Sequence, residues 1–335
     1  MKDKRKIAWL VIGGVVILGL VSNSIGKKME PAKQSNFWSS VSSTDTFTEK
    51  TLQSGSADKI AIIRIEGVLT DSSEQATSIL SGSGSGATAE QIVKQIDQAE
   101  KDTNIRALIL QINSPGGTAV AGQTVLERLA KFKDSGKKLY VAMREVAASA
   151  AYEISLPADK IFANQETETG SIGVIMQMPD YTGLYSKVGV STITIKSGDK
   201  KDMGNPARTM TSDEKSILQV LVDESYNNFV AAVAKWRKID DARVREIGDG
   251  RIYTAKQAKE LGLIDEIANL PAIIDYAKSE SGAKDPSVVQ YQAGPLGGLL
   301  SSIFQKASLG SQLSSILGQE DLSPNNQLMH LWMPQ

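Results

Sequence analysis

Runs of β-branched and apolar residues alternate along this sequence with amphipathic helical stretches, and that alternation admits few folds. Residues 59–69 carry Ile60, Ile62, Ile63, Ile65 and Val68 in the manner of a buried strand. Thr88 and Gln91 then stand in capping-box spacing before Ile92, Ile96 and Ala99, which recur on one helical face. A second buried strand is predicted over 107–112, a helix with Val120, Val125, Leu126 and Leu129 apolar follows, and a third strand is predicted over 139–143. Strand, helix and strand in this order imply an α/β class with a largely parallel sheet and crossover helices. Ligand sites in such sheets lie at the carboxyl ends of the strands. Gly116-Gly117 and Ser149 fall just past two of those ends, so they are taken as a pair.

Further short strands are predicted at 161–163, 172–176 and 192–195. Thr211 and Glu214 form another capping box, opening a long helix with Ile217, Leu218, Leu221, Val222, Tyr226, Phe229 and Val233 apolar. Smaller helices are expected at 241–247 and 254–261. From Pro286 onward Gly, Ser and Gln predominate, with apolar clusters at 296–304 and 328–333.

The N-terminus reads differently. Lys4-Arg5-Lys6 precede residues 7–26, which carry no charge. A bilayer core needs about 20 apolar residues as helix, and this stretch reaches that length with Ser22 and Ser24 among the headgroups. The basic flank stays in the cytoplasm and the remainder is translocated. No small-residue cleavage site follows Val21, which favours a retained anchor over a cleaved signal peptide. Residues 35–58 are rich in Ser and Thr, as in a stalk. The run Ser81 to Gly86 alternates Ser and Gly inside a loop that is an insertion or a lid. The expected division is an anchor at 1–26, a stalk at 27–58, a folded domain at 59–285, and a tail at 286–335 that docks on the domain or on a neighbouring subunit.

Composition narrows the chemistry. The formal charge of -1, from 37 basic and 38 acidic residues, gives no field to attract nucleic acid. There is no cysteine and one histidine, His330, so a thiolate nucleophile and a His-rich zinc site are excluded, and no cofactor or metal is expected. A hydrolase built from this chain needs a lysine or a carboxylate as its base.

A serine nucleophile needs a base that is neutral when it acts and preorganised donors for the oxyanion. Ser149 stands among Ala147, Ala148, Ala150 and Ala151 at a predicted helix start, where a substrate backbone can come close. A serine among alanines is also a common packing residue. Pro115-Gly116-Gly117 after a buried strand frees the backbone to aim N–H groups into a cleft, although a plain turn has the same composition. Residues 196–202 hold Lys196, Lys200 and Lys201, among which composition does not choose. A base among them needs a pKa about three units below the usual ~10.4.

Taken together, Asn113-Ser114-Pro115-Gly116-Gly117, Ala147-Ala148-Ser149, Glu166-Thr167-x-Thr169-Gly170-Ser171-x-Gly173 and Lys196-Ser197-Gly198-x-x-Lys201-Asp202 resemble, in that order, the signal peptide peptidase A family. That family is a relative of the Clp protease subunit within the crotonase-like superfamily, and the similarity runs over about residues 59–268. It implies repeated strand-strand-helix units. It further implies Ser149 as nucleophile, Lys201 as general base, Gly116 and the amide of Ala150 as the oxyanion hole, and Ser171 as the group that orients the lysine. A homo-oligomeric ring at the bacterial cytoplasmic membrane, cutting short apolar peptides such as remnant signal peptides, is the implied setting. The sequence departs from the family at Ala150 and Ala151, where two glycines are usual. A catalytically impaired peptide-binding or scaffolding membrane protein of the same fold is therefore an alternative, and a crotonase-type acyl-CoA enzyme is a second. The cluster at 328–333 either packs on a neighbouring subunit or mimics substrate in the protein's own site.

Overall fold

A computed structural model of the chain describes residues 47–71, 87–292 and 329–331. The apolar stretch at 7–26 and the Ser-Gly run at 81–86 lie outside the described residues. Among those described, no helix is long and apolar enough to cross a membrane.

The fold is a mixed α/β sheet with helices on both faces. Strand β1 (Thr48–Gln53) is followed by β2 (Ser56–Glu66), helix α1 (Ala89–Lys101), β3 (Ile105–Ser114), the short β4 (Gly116–Thr118) and α2 (Ala119–Phe132). Then come β5 (Lys138–Ala148), a single-turn α3 (Ala150–Glu153), β6 (Lys160–Ala163), β7 (Glu168–Gly170) and α4 (Thr182–Val188). The long α5 (Ser212–Arg237), α6 (Asp241–Ile247), β8 (Ile252–Thr254), α7 (Ala255–Glu260), β9 (Glu266–Ile267), α8 (Leu270–Glu280) and β10 (Pro286–Gln292) complete the domain. A last strand, β11 (Met329–Leu331), lies antiparallel to β4, with Leu331 opposite Gly116.

The main sheet runs β1-β10-β2-β3-β5-β6-β9, and β7 pairs with the end of β5 and with β8. Every pair from β10 to β9 is parallel, while β1 and β8 join antiparallel. Successive side chains of a strand face opposite sides, which explains why the central strands are apolar at consecutive positions, as at 60–63, 107–110 and 139–143. Ile63, Ile65, Leu108 and Leu110 face α1, α2 and α5, in a core with Ile96, Val125 and Phe229. Ile60, Ile62, Ile109 and Tyr140 face α8 through Ile273, Ile274 and Ala277.

The sequence-based strands at 59–69, 107–112, 139–143 and 161–163 correspond to β2, β3, β5 and β6. Two others are corrected. Residues 172–176 and 192–195 form no strand, and Ile193 and Ile195 are 89% and 97% exposed. Among the described residues no strand pairs with 192–195. The sheet also takes in β1, inside the stretch read as stalk, and β10, inside the stretch read as tail.

Lys137 closes α1 from outside. Its ammonium donates to the carbonyl oxygens of Ala99 and Glu100 in the last turn at 2.7 and 2.7 Å, and to that of the C-cap residue Asp102, which also accepts from Ile105 N–H, at 2.6 Å. Lys137→Met is expected to cost about 1–3 kcal/mol, read as a fall of roughly 3–10 °C in thermal midpoint. An unchanged midpoint would show that water serves those carbonyls equally well.

Candidate active site

Three neighbouring strands deliver the candidate residues to one end of the sheet. Ser114 at the end of β3 lies opposite Ala147 in β5, and Ala148 lies opposite Gly170 in β7. Just beyond follow Gly116, Ser149 and Ser171. Thr169 Oγ1 ties the strands together by donating to the Ala147 carbonyl at 2.6 Å, and the Asn113 carboxamide oxygen accepts from the Val146 N–H at 3.2 Å. The motif residues that surround the site therefore act as stitching between strands.

Ser149 forms the corner between β5 and α3. Its φ of 56° and ψ of -124° put a non-glycine residue in sparsely populated space, an arrangement that persists only where surrounding structure enforces it. The enforcement is visible: its N–H donates to the Gly170 carbonyl at 2.8 Å, and its carbonyl accepts from Glu153 N–H at 2.9 Å. The residue is 1% exposed, and its Oγ has no hydrogen-bond partner among the described residues. A buried hydroxyl without a partner is costly. Ser149 thus stands at a strand–corner–helix turn with its hydroxyl buried.

Ala150 and Ala151 fit their places. Both are helical and fully buried, and neither is among the residues with positive φ. Alanine therefore meets no conformational penalty at the positions where glycine was a concern. The close approach falls on α2 instead, where a Cβ added to Gly122 would stand 3.2 Å from Ala150 Cβ and 2.7 Å from Glu153 Oε2. As the first residue of α3, Ala150 carries an N–H with no intrahelical acceptor.

Gly116 has φ 110°, open only to glycine, and its N–H donates to Ser114 Oγ at 3.2 Å. The Gly116 carbonyl accepts from Leu69 N–H at 2.8 Å, and Thr118 N–H donates to the Leu69 carbonyl at 3.0 Å. Backbone groups alternate sides along a strand, so Gly117 turns its own N–H and carbonyl away from Leu69, toward the side where β11 lies. Gly117 stands in the same motif as Gly116, the residue that the resemblance names for the oxyanion hole.

Ser171, with φ 49°, is 7% exposed and donates its N–H to the Arg251 carbonyl at 2.8 Å. Lys201 stands apart. It is exposed, in a turn closed by its N–H to the Gly198 carbonyl at 3.0 Å, and Ser149 Oγ accepts nothing from it. Its segment folds on itself, with Tyr181 N–H donating to the Pro206 carbonyl at 2.8 Å. Ion pairs hold it to the start of α5. Arg208 lies between Asp202 and Glu214, and Lys196 also reaches Asp202. Hydrogen bonds from Arg208 and then Lys196 hold the Asp202 carboxyl far below the usual range. Arg208, then the Thr211 N–H, lowers that of Glu214 to about 2. Both carboxylates are thus ionised at every pH at which a lysine base would titrate. Among the described residues no cluster of His, Asp or Glu could hold a metal.

Residues 131–284 match the family model described as Peptidase family S49. A protein of Enterococcus faecium bearing the name signal peptide peptidase SppA is 33% identical over 95% of this chain and 91% of its own length. The chloroplastic serine protease SPPA of Arabidopsis thaliana is 32% identical over 68% of this chain, which corresponds to 33% of that protein. Among solved structures, a ClpP1 mutant from Listeria monocytogenes covers 62% of this chain and 91% of its own, with a TM-score of 0.41 and 19% identity.

Proposed function

Since this chain belongs to the SppA family of serine peptidases, peptidase family S49, we propose that it is a membrane-anchored endopeptidase of apolar peptides, with Ser149 as nucleophile and Lys201 of an adjacent subunit as general base. The buried, unpartnered hydroxyl of Ser149 at a backbone corner carries this reading. Lysine in its neutral form takes the proton as Oγ attacks the scissile carbonyl. The N–H groups of Ala150 and of the Gly116-Gly117 strand receive the oxyanion. The lysine then protonates the leaving amine, and water, deprotonated by the same lysine, releases the acyl group from Ser149. Ser171, beside Ser149, orients the amine. Metal and cofactor have no part in these steps.

Assembly follows from the same site. Lys201 shares its segment with the exposed Ile193 and Ile195, and α5 exposes Val220 and Leu221. A second copy covering this apolar surface brings a lysine to Ser149, consistent with a homo-oligomeric ring. Signal-peptide remnants are the proposed substrates, met at the outer face of a bacterial cytoplasmic membrane.

An acyl-enzyme is the direct test. The full chain in detergent, mixed with a p-nitrophenyl ester of a short apolar peptide and quenched in acid, is expected to carry the acyl mass on the peptide containing Ser149. Turnover of the ester with Ser149 unmodified would remove it as nucleophile.

The strand Met329–Leu331 lies along Gly116–Thr118, where a substrate strand would pair. A tethered segment competes at an effective concentration of order millimolar. Deleting residues 328–335 is therefore expected to raise kcat/KM for short peptides roughly threefold or more, mainly by lowering KM. Unchanged kinetics would make the strand a packing element only.

A further inference from the structure

Resting on Lys201 as the base, we propose that Arg208 is a positioning residue for it, one that keeps the carboxylate of Asp202 occupied and fixes the lysine-bearing turn on the start of α5. Lys201 and Asp202 are adjacent in sequence. An unpaired carboxylate beside an amine favours the ammonium form, which cannot act as a base. Here that carboxylate is already taken. Asp202 Oδ2 accepts from Arg208 Nε at 3.0 Å, and Oδ1 accepts from Arg208 Nη2 at 2.8 Å and from Lys196 Nζ at 2.7 Å. The Asp202 carbonyl accepts from the same Nη2 at 3.0 Å.

The other side of the guanidinium reaches α5. Nη1 donates to Glu214 Oε2 at 2.9 Å and Nη2 to Oε1 at 2.6 Å, while Nη1 also reaches the Thr209 carbonyl at 3.3 Å. Glu214 in turn accepts from the Thr211 N–H at 3.0 Å and caps the helix. The planar fork thus bridges the turn and the helix N-terminus, which a point charge on a flexible stem cannot do equally well. The charged groups of this region are Asp180, which reaches Thr209, and Lys196, Asp199, Lys200, Asp202, Arg208, Asp213 and Glu214, with Lys200 paired to Asp213. Of the carboxylates among them, Asp202 is covalently next to the base, and Arg208 supplies most of its donors.

The experiment is the pH dependence of kcat/KM, from pH 5 to 10, for the full chain in detergent, with assembly followed by light scattering. Arg208→Met is expected to move the acid limb up by about one unit and to lower kcat/KM at neutral pH about tenfold. Arg208→Lys should recover part of this. Adding Asp202→Asn to Arg208→Met should return the limb toward wild type, because no carboxylate then remains beside the base. An acid limb that stays put in assembled Arg208→Met, whatever the rate, would reduce Arg208 to a structural clamp and overturn the proposal. Asp202→Asn alone keeps the bonds to Glu214 and serves if Arg208→Met does not fold: its limb is expected at or below the wild-type position, and an upward move overturns the proposal too. Lys201→Ala separates the two levels. Full activity there removes the base itself, whereas its loss with an unmoved Arg208→Met limb removes only the positioning role.

Discussion

Ser149→Ala and Lys201→Ala are each expected to lower kcat/KM by about a thousandfold or more, and co-assembly of the two inactive chains is expected to restore activity. The first half follows from the chemistry. Without Oγ no acyl-enzyme forms, and without the amine nothing takes the hydroxyl proton. The second half follows from geometry. Ser149 Oγ is buried with no partner among the described residues, while Lys201 is exposed on a segment whose isoleucines at 193 and 195 also face water. Taking each isoleucine out of water is worth about 1.5–3 kcal/mol, enough to favour a second copy over solvent. In a random mixture, roughly a quarter of the interfaces join an intact serine to an intact lysine. Peptidase activity near that fraction of wild type, from chains carrying two different affinity tags and purified through both, is the expected result. A mixture as inactive as its parents would place serine and base in the same chain. Single variants that keep wild-type rates would dismiss the dyad.

The central sheet could be read in advance because its strands are buried on both faces. Such strands carry unbroken apolar runs along their middle, and β2, β3 and β5 each stood out for that reason. Boundaries were less legible. β5 runs on from Met143 through Arg144, Glu145 and Val146 to Ala148, a stretch whose charges disguise a strand. It stays in the sheet because Val146, Ala147 and Ala148 pair with β7. Strand β1 has the polar sequence Thr-Glu-Lys-Thr-Leu-Gln and is exposed along its length, so only its pairing with β10 reveals it. Residues 192–195 misled in the opposite sense, since β-propensity describes a side chain's fit to a sheet and says nothing of whether an edge is within reach.

The site was legible in its parts and less so in its assembly. Ser149, Gly116, Ser171 and the Ala150 amide meet at adjacent strand ends, because a parallel sheet gathers the ends of its strands on one side. The left-handed corners at Ser149 and Ser171 could not be foreseen, since neither residue is a glycine. The role of Arg208 was equally hidden: an arginine among loop lysines gives no sign that its guanidinium is committed to two carboxylates. Gly117 was quoted within a motif, but the reason it must be glycine appears only when Leu69, nearly fifty residues earlier, comes to lie against it.

That contact supports the second large effect. A Cβ built on Gly117 would stand 1.9 Å from the Leu69 carbonyl oxygen, 2.6 Å from its carbon and 2.7 Å from its Cα. These are backbone atoms, held by hydrogen bonds to Gly116 on one side and Thr118 on the other, so no side chain can swing aside. Relief requires β4 to move off residue 69, which displaces the strand proposed to present the oxyanion donors. Gly117→Ala is therefore expected to cost about 3 kcal/mol or more, and to lower kcat by about a hundredfold through the misplaced donors. Thermal denaturation and single-turnover kinetics of the same preparation read the two effects separately. Gly136→Ala is the matched control, since Gly136 has φ 76° but open space around its Cβ position. It should lose only about 1 kcal/mol for the strained backbone and retain wild-type kcat. If Gly117→Ala behaves like Gly136→Ala in both measurements, the strand is free to shift at little cost, and its glycines cannot be fixed donors to an oxyanion.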